Sequence, residues 1–183
     1  MVVARVANSE TFKVTTPSDV EIRMTRLFDA PRRLVFEALT KPEHVRRWWG
    51  ILGDGYSVPV CEIDLRPGGK WRFVGRGPDG DIPAFYGEFR EIVPHERIVQ
   101  TEIFEPYPDA PAVNTTILTE ENGKTRVTVT CVYGSKEIRD MVLQTGMEQG
   151  AAISYDRLEE VAAALQRSLG GRVHGGSFVR VCN

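Results

Sequence analysis

The sequence predicts an α+β fold in which a curved antiparallel sheet of seven strands wraps round one long C-terminal helix, with two short helices after the first strand. Three observations carry this reading. An alternating segment gives way abruptly to helical spacing near residue 29; a series of extended segments follows, joined by short turns; and one long stretch of helical period comes last.

From Val20 to Phe28 the letters VEIRMTRLF alternate as a strand with one buried face does. Asp29-Ala30-Pro31 then reads as a helix start, with Asp29 as the cap and Pro31 in the first turn, and Leu34, Val35, Ala38 and Leu39 recur at helical spacing. A second short helix is expected to begin near Lys41-Pro42-Glu43 and to stop at Gly50. Next come VPVCEIDL, GGKWRFVGR, AFYGEFREIV, ERIVQTEIF, NTTILTE and TRVTVTCVY, punctuated by RPGG, GPDG, VPHE, EPYPDAPA and ENGK. Connections this short favour antiparallel neighbours. From Ser135 to about Ser168 helical period returns, most clearly in Tyr155, Leu158, Val161, Ala162 and Leu165, and this helix is the only element large enough to cover the sheet. A sheet that curves round a helix splays at its end and leaves a cavity. The expected organisation is an N-terminal arm (1–19), one domain (20–169) and a glycine-rich tail (170–183). In the tail, Phe178, Val179 and Val181 offer apolar side chains to the domain or to a second copy of the chain, which leaves a homodimer open.

The 183 residues suffice for one domain with a sizeable core, and a formal charge of -2 gives no general reason to bind nucleic acid or an anionic membrane surface. Cys61, Cys131 and Cys182 are odd in number and widely spaced, so neither a disulfide framework nor a zinc site is indicated and a reducing, cytoplasmic setting is expected. No signal peptide and no integral membrane segment is read from the sequence. Small molecules or proteins are the partners this balance favours.

Individual motifs point more weakly. Gly75-Arg76-Gly77-Pro78-Asp79-Gly80 matches the letters of a dinucleotide fingerprint, but Pro78-Asp79-Gly80 is turn chemistry followed by a strand, and the helix that would hold a phosphate is missing; no cofactor is implied. His44, His95 and His174 are too far apart to suggest a metal. Glu62 and Asp64 share a strand face, either for acid–base chemistry or simply in solvent. Glu88 lies among Phe85, Tyr86 and Phe89. A carboxylate drawn into that wall would hold its proton tightly enough for general acid work, whereas strict alternation turns it away from Phe85, Gly87 and Phe89. No nucleophile elbow is present. His44-Val45-Arg46-Arg47-Trp48-Trp49-Gly50 places two tryptophans side by side, and adjacent side chains cannot share one core layer easily. Arg46 and Arg47 are expected to stay in solvent.

The run RLFDAPRRLVFEALTKPEHVRRWWG, then RPGGKWRF, YGEFREIVPHERIVQTE, TRVTVT and GMEQGAAISYDRLEE, strongly resembles the START-like, polyketide-cyclase-like (SRPBCC) superfamily. More narrowly, it resembles the branch named after the activator of heat-shock-protein ATPase. The resemblance runs from about Val20 to Gln166. It implies a helix-grip fold with a ligand cavity between sheet and long helix, on a scaffold that serves carriers, cyclases, receptors and chaperone partners alike. It also implies that one of Trp48 and Trp49 packs beneath the second short helix while the other lines the cavity entrance. In relatives the segment Gly146-Met147-Glu148-Gln149-Gly150 usually continues with tryptophan, whereas here Ala151-Ala152 follows; losing an indole opens space on the order of 100 Å³, or calls for compensation by a neighbour such as Trp71.

On that geometry a small hydrophobic or aromatic molecule would be bound by Trp49, Trp71, Phe73, Phe85, Phe89, Thr101, Met147, Ala151 and Tyr155. Two other functions use the same chain. A cofactor-independent cyclase or hydrolase would draw on Glu88, Tyr86 or Tyr155, and a chaperone-ATPase-regulating protein would act through its surface.

Overall fold

The computed structural model describes residues 12–170. Its elements in chain order are β1 (Lys13–Thr15), β2 (Glu21–Phe28), α1 (Arg32–Thr40), α2 (Pro42–Val45), β3 (Ser57–Ile63), β4 (Lys70–Gly77), β5 (Gly80–Val93), β6 (Arg97–Phe104), β7 (Ala112–Glu121), β8 (Lys124–Val132), α3 (Lys136–Gln144) and α4 (Met147–Gly170). The strands form one antiparallel sheet ordered β1-β2-β8-β7-β6-β5-β4-β3, with α4 against its concave face.

This is the helix-grip arrangement, with differences from the sequence reading, among them a second short helix that ends at Val45 rather than at Gly50. The sheet has eight strands rather than seven, because Lys13–Thr15, inside the segment read as an arm, pairs with Thr25, Met24 and Arg23 of β2. Three residues are too few for alternation to register. The helical stretch from Ser135 onward is two helices rather than one. Ser135 caps α3 by accepting the Ile138 N–H at 3.3 Å, and α3 stops where Gly146 turns left-handed at φ 77°. Only glycine takes that conformation without strain, so α3 ends there and α4 starts afresh at Met147.

Every second residue of β2 is buried: Ile22, Met24, Arg26 and Phe28. The buried face of α4, Tyr155, Leu158, Val161 and Ala162, meets them together with Leu34, Val35, Phe36 and Ala38 of α1. Arg26 is the one charge in that row. It pairs with Asp156 and, at 3.9 Å, with Glu159 of α4, and its guanidinium lies 5.5 Å from the Phe28 ring centre. Asp29 does not cap α1 as expected. The helix begins at Arg32 with Pro31 as its cap residue, so Asp29 lies too early, and its N–H donates to Glu159 at 2.8 Å.

Gly75–Gly80 forms the β4–β5 hairpin, with Gly77 opposite Gly80. Glu62 and Asp64 both face solvent. Arg46 is exposed but not idle: it donates to the carbonyls of Val58 at 2.6 Å and Pro59 at 2.9 Å, and reaches Cys61 O at 3.5 Å, all on β3 at the sheet's edge. Among the described residues no helix is long and apolar enough to cross a membrane. The tail residues Phe178, Val179 and Val181, along with His174 and Cys182, lie outside the described residues.

Candidate functional site

Between the concave face of the sheet and α4 lies a cavity of about 630 Å³. Alternation along each strand decides what enters it. β4 contributes Trp71 and Phe73, β5 Phe85 and Phe89, β6 Ile98, Gln100, Glu102 and Phe104, β7 Ala112, Asn114 and Thr116, and β8 Val129 and Cys131, with Tyr133 just beyond. Met147, Ala151, Ser154 and Tyr155 close it from α4, while Ile138, Met141 and Val142 roof it from α3. Leu52, Tyr107 and Met141 line it yet are exposed, and so mark the end that meets solvent.

The two neighbouring tryptophans divide the work. Trp48 is 8% exposed, donates its indole N–H to Ala38 O at 2.9 Å and packs edge-on near Tyr155, anchoring the turn after α2. Trp49 reaches across the cavity to Phe73 and Phe85, with ring centres 5.2 and 5.6 Å apart, as the chain leaves the turn at Gly50. Phe85 stacks in turn on Phe104 at 4.6 Å. Trp71 is held rigidly, its indole N–H on Thr101 O at 3.2 Å and its backbone paired with Gly87. A Cβ at Gly87 would meet that same Thr101 carbonyl at 1.9 Å, so only glycine fits there. Gly87→Ala is therefore expected to destabilise the protein by about 1–3 kcal/mol in urea unfolding, and to loosen Trp71 in the fluorescence spectrum. An unchanged midpoint would count against this close approach.

Eight of the nine residues expected to bind ligand line this cavity: Trp49, Trp71, Phe73, Phe85, Phe89, Met147, Ala151 and Tyr155. Thr101 does not. It lies between Gln100 and Glu102 and points to the opposite face, where its hydroxyl accepts the Glu88 N–H at 2.9 Å. Of the acid–base candidates, Tyr155 faces the cavity, but Glu88 is exposed on the outer face and Tyr86 lies there beneath Arg72, 5.7 Å from its ring centre. Both sit out of phase with Phe85 and Phe89.

The sequence reading missed a polar group at the β6–β7–β8 side of the cavity: Glu102, Asn114, Cys131 and Tyr133, joined by Ser154 and Tyr155 from α4. Burial raises the Glu102 carboxyl above its ordinary 4.5, and the Asn114 amide beside it only partly opposes this. Part of the Glu102 surface borders the cavity, but among the described residues no cation offsets its charge. Burial also pushes up the Cys131 thiol and the Tyr133 and Tyr155 phenols, with the Glu102 charge adding to the effect, so all three keep their protons at neutral pH.

These shifts bear on stability. A carboxyl that holds its proton more tightly when folded works against folding once it ionises, so its penalty grows as pH rises from about 4.5 towards the folded value and persists above it. Glu102→Gln is expected to raise the melting temperature at neutral pH, the gain vanishing below the ordinary carboxyl range. A variant no more stable than wild type at pH 7 would contradict the buried placement.

A family model described as Activator of Hsp90 ATPase homolog 1-like protein matches residues 29–163. No curated protein matches at a significant level. Among solved structures, a protein from Rhodobacter sphaeroides is 25% identical, with 84% of this chain and 99% of that one covered at a TM-score of 0.75. One from Mycobacterium smegmatis is 26% identical over 85% of this chain and 99% of its own, at a TM-score of 0.73. A third, from Nitrosomonas europaea, is 23% identical over 83% and 99%, at a TM-score of 0.72, and attests the fold alone.

Proposed function

Since this chain belongs to the Activator of Hsp90 ATPase homolog 1-like family, we propose that its scaffold serves as a container, binding a small hydrophobic or aromatic molecule between the sheet and the long helix. The observation that carries this reading is the cavity itself. About 630 Å³ walled by Trp49, Trp71, Phe73, Phe85 and Phe104 falls within the roughly 300–1,000 Å³ of small-molecule sites. Ala151, a small side chain on the cavity lining, leaves space on the α4 side.

The cyclase or hydrolase reading retains Tyr155 of its three named residues, in a phenol whose raised pKa suits it to donating a hydrogen bond rather than to acting as a base. A role in regulating a chaperone ATPase rests on the family's name alone.

Native mass spectrometry of protein purified from its own host, followed by organic extraction, is expected to release a single apolar compound. Protein that carries the mass of the bare chain, and that also fails to bind the neutral dye Nile red, would overturn the container reading.

A further inference from the structure

The cavity has two chemically distinct ends. On the β4–β5 side the walls are aromatic rings in edge and stacked contact, with no charged group among them. On the β6–β7 side stands Glu102, which makes no ion pair with any Lys, Arg or His among the described residues, whereas Asp81, Glu91 and Glu121 on other strands each pair with an arginine. Beside it Asn114 is 7% exposed, and its Oδ1 has no hydrogen-bond partner among the described residues. An acceptor left unsatisfied inside a protein costs free energy, and so does a carboxylate without a counter-charge; proteins keep such groups where something else completes them.

What completes them is constrained by their chemistry. A carboxylate and an amide oxygen are both acceptors, and one is negatively charged. The group that satisfies both is a donor with positive charge, and an ammonium brings three N–H donors on one compact centre. We infer that the ligand is an apolar or aromatic amine, its body against the Trp49–Phe85 wall and its ammonium group against Glu102 and Asn114. This rests on the container reading and adds the ligand class. Tyr133 and Tyr155, protonated and adjacent, contribute ring surface on which a cation also rests favourably.

Three probes sharing one body decide the matter: 4-phenylbutylamine, 4-phenylbutan-1-ol and 4-phenylbutyrate, each titrated against Nile red bound to the full chain. The amine is expected to displace the dye at a concentration about tenfold or more below the alcohol, and the carboxylate to be weakest. Glu102→Gln is expected to abolish the amine's advantage over the alcohol. Alcohol and amine competing equally would mean that Glu102 acts as a neutral partner and would overturn the inference, as would the carboxylate binding best or none of the three displacing the dye; in each case the container reading stands. Wild-type protein that takes up no dye removes the container reading and the amine with it. The wild-type series decides the question alone if the variant does not fold.

Discussion

Replacing Arg26 by alanine is expected to lower stability by about 3 kcal/mol in urea unfolding. Arg26 sits on the buried face of β2 between Met24 and Phe28, with its side chain only 4% exposed, and it bridges the sheet to Asp156 and Glu159 of α4. Truncation leaves those two carboxylates facing an apolar row with nothing to balance them, and opens the space its methylenes filled. Their side chains are each 28% exposed, so water relieves part of the penalty and places the cost at the lower end for broken buried pairs. Combining Arg26→Met with Asp156→Leu is expected to recover most of the loss, because an apolar pair of similar volume avoids the desolvation that the ions incur. A loss below about 1 kcal/mol in the single variant would mean that solvent screens the pair as it does on a surface.

The second large effect concerns binding. Ala151→Trp is expected to weaken Nile red and the native compound roughly a hundredfold, because an indole there displaces several ligand carbons at about 0.8 kcal/mol for each buried CH₂. Met147, Ala151 and Tyr155 follow one another at helical spacing on the inner face of α4, so the new ring projects into the cavity of about 630 Å³ rather than into packed core. Stability should hold or rise, since the substitution fills space without displacing side chains. Undiminished binding in a well-folded variant would place the ligand elsewhere.

The strands were legible because turn chemistry delimits them. RPGG, GPDG, VPHE and ENGK each fall between neighbouring strands of the final sheet, and VEIRMTRLF alternates cleanly. Two features of the fold were hidden. KVT is too short to show a period, and Gly146 stands between two segments that are both helical, so the pattern continues across a break that only backbone geometry reveals. At the site, the aromatic wall could be reached through alternation and resemblance, but Glu102 and Asn114 could not. In ERIVQTEIF one face carries Ile98, Gln100, Glu102 and Phe104 and the other Arg97, Val99, Thr101 and Ile103, so hydrophobicity does not distinguish inside from outside. That ambiguity misplaced Thr101. Glu102 became readable only once pairing with β7 set it near Asn114, because its partner lies in another strand.

The grip of Arg46 on β3 has a consequence for how molecules of this protein meet one another. β3 is the last strand of an open sheet, and an open sheet invites a further strand from any chain that drifts alongside. Here the Val58 and Pro59 carbonyls are already occupied by a guanidinium, Pro59 has no N–H to offer, and the register slips between Ser57 and Val60. A newcomer finds a fringe that is charged, kinked and already spoken for, so growth of the sheet from molecule to molecule is checked at that border.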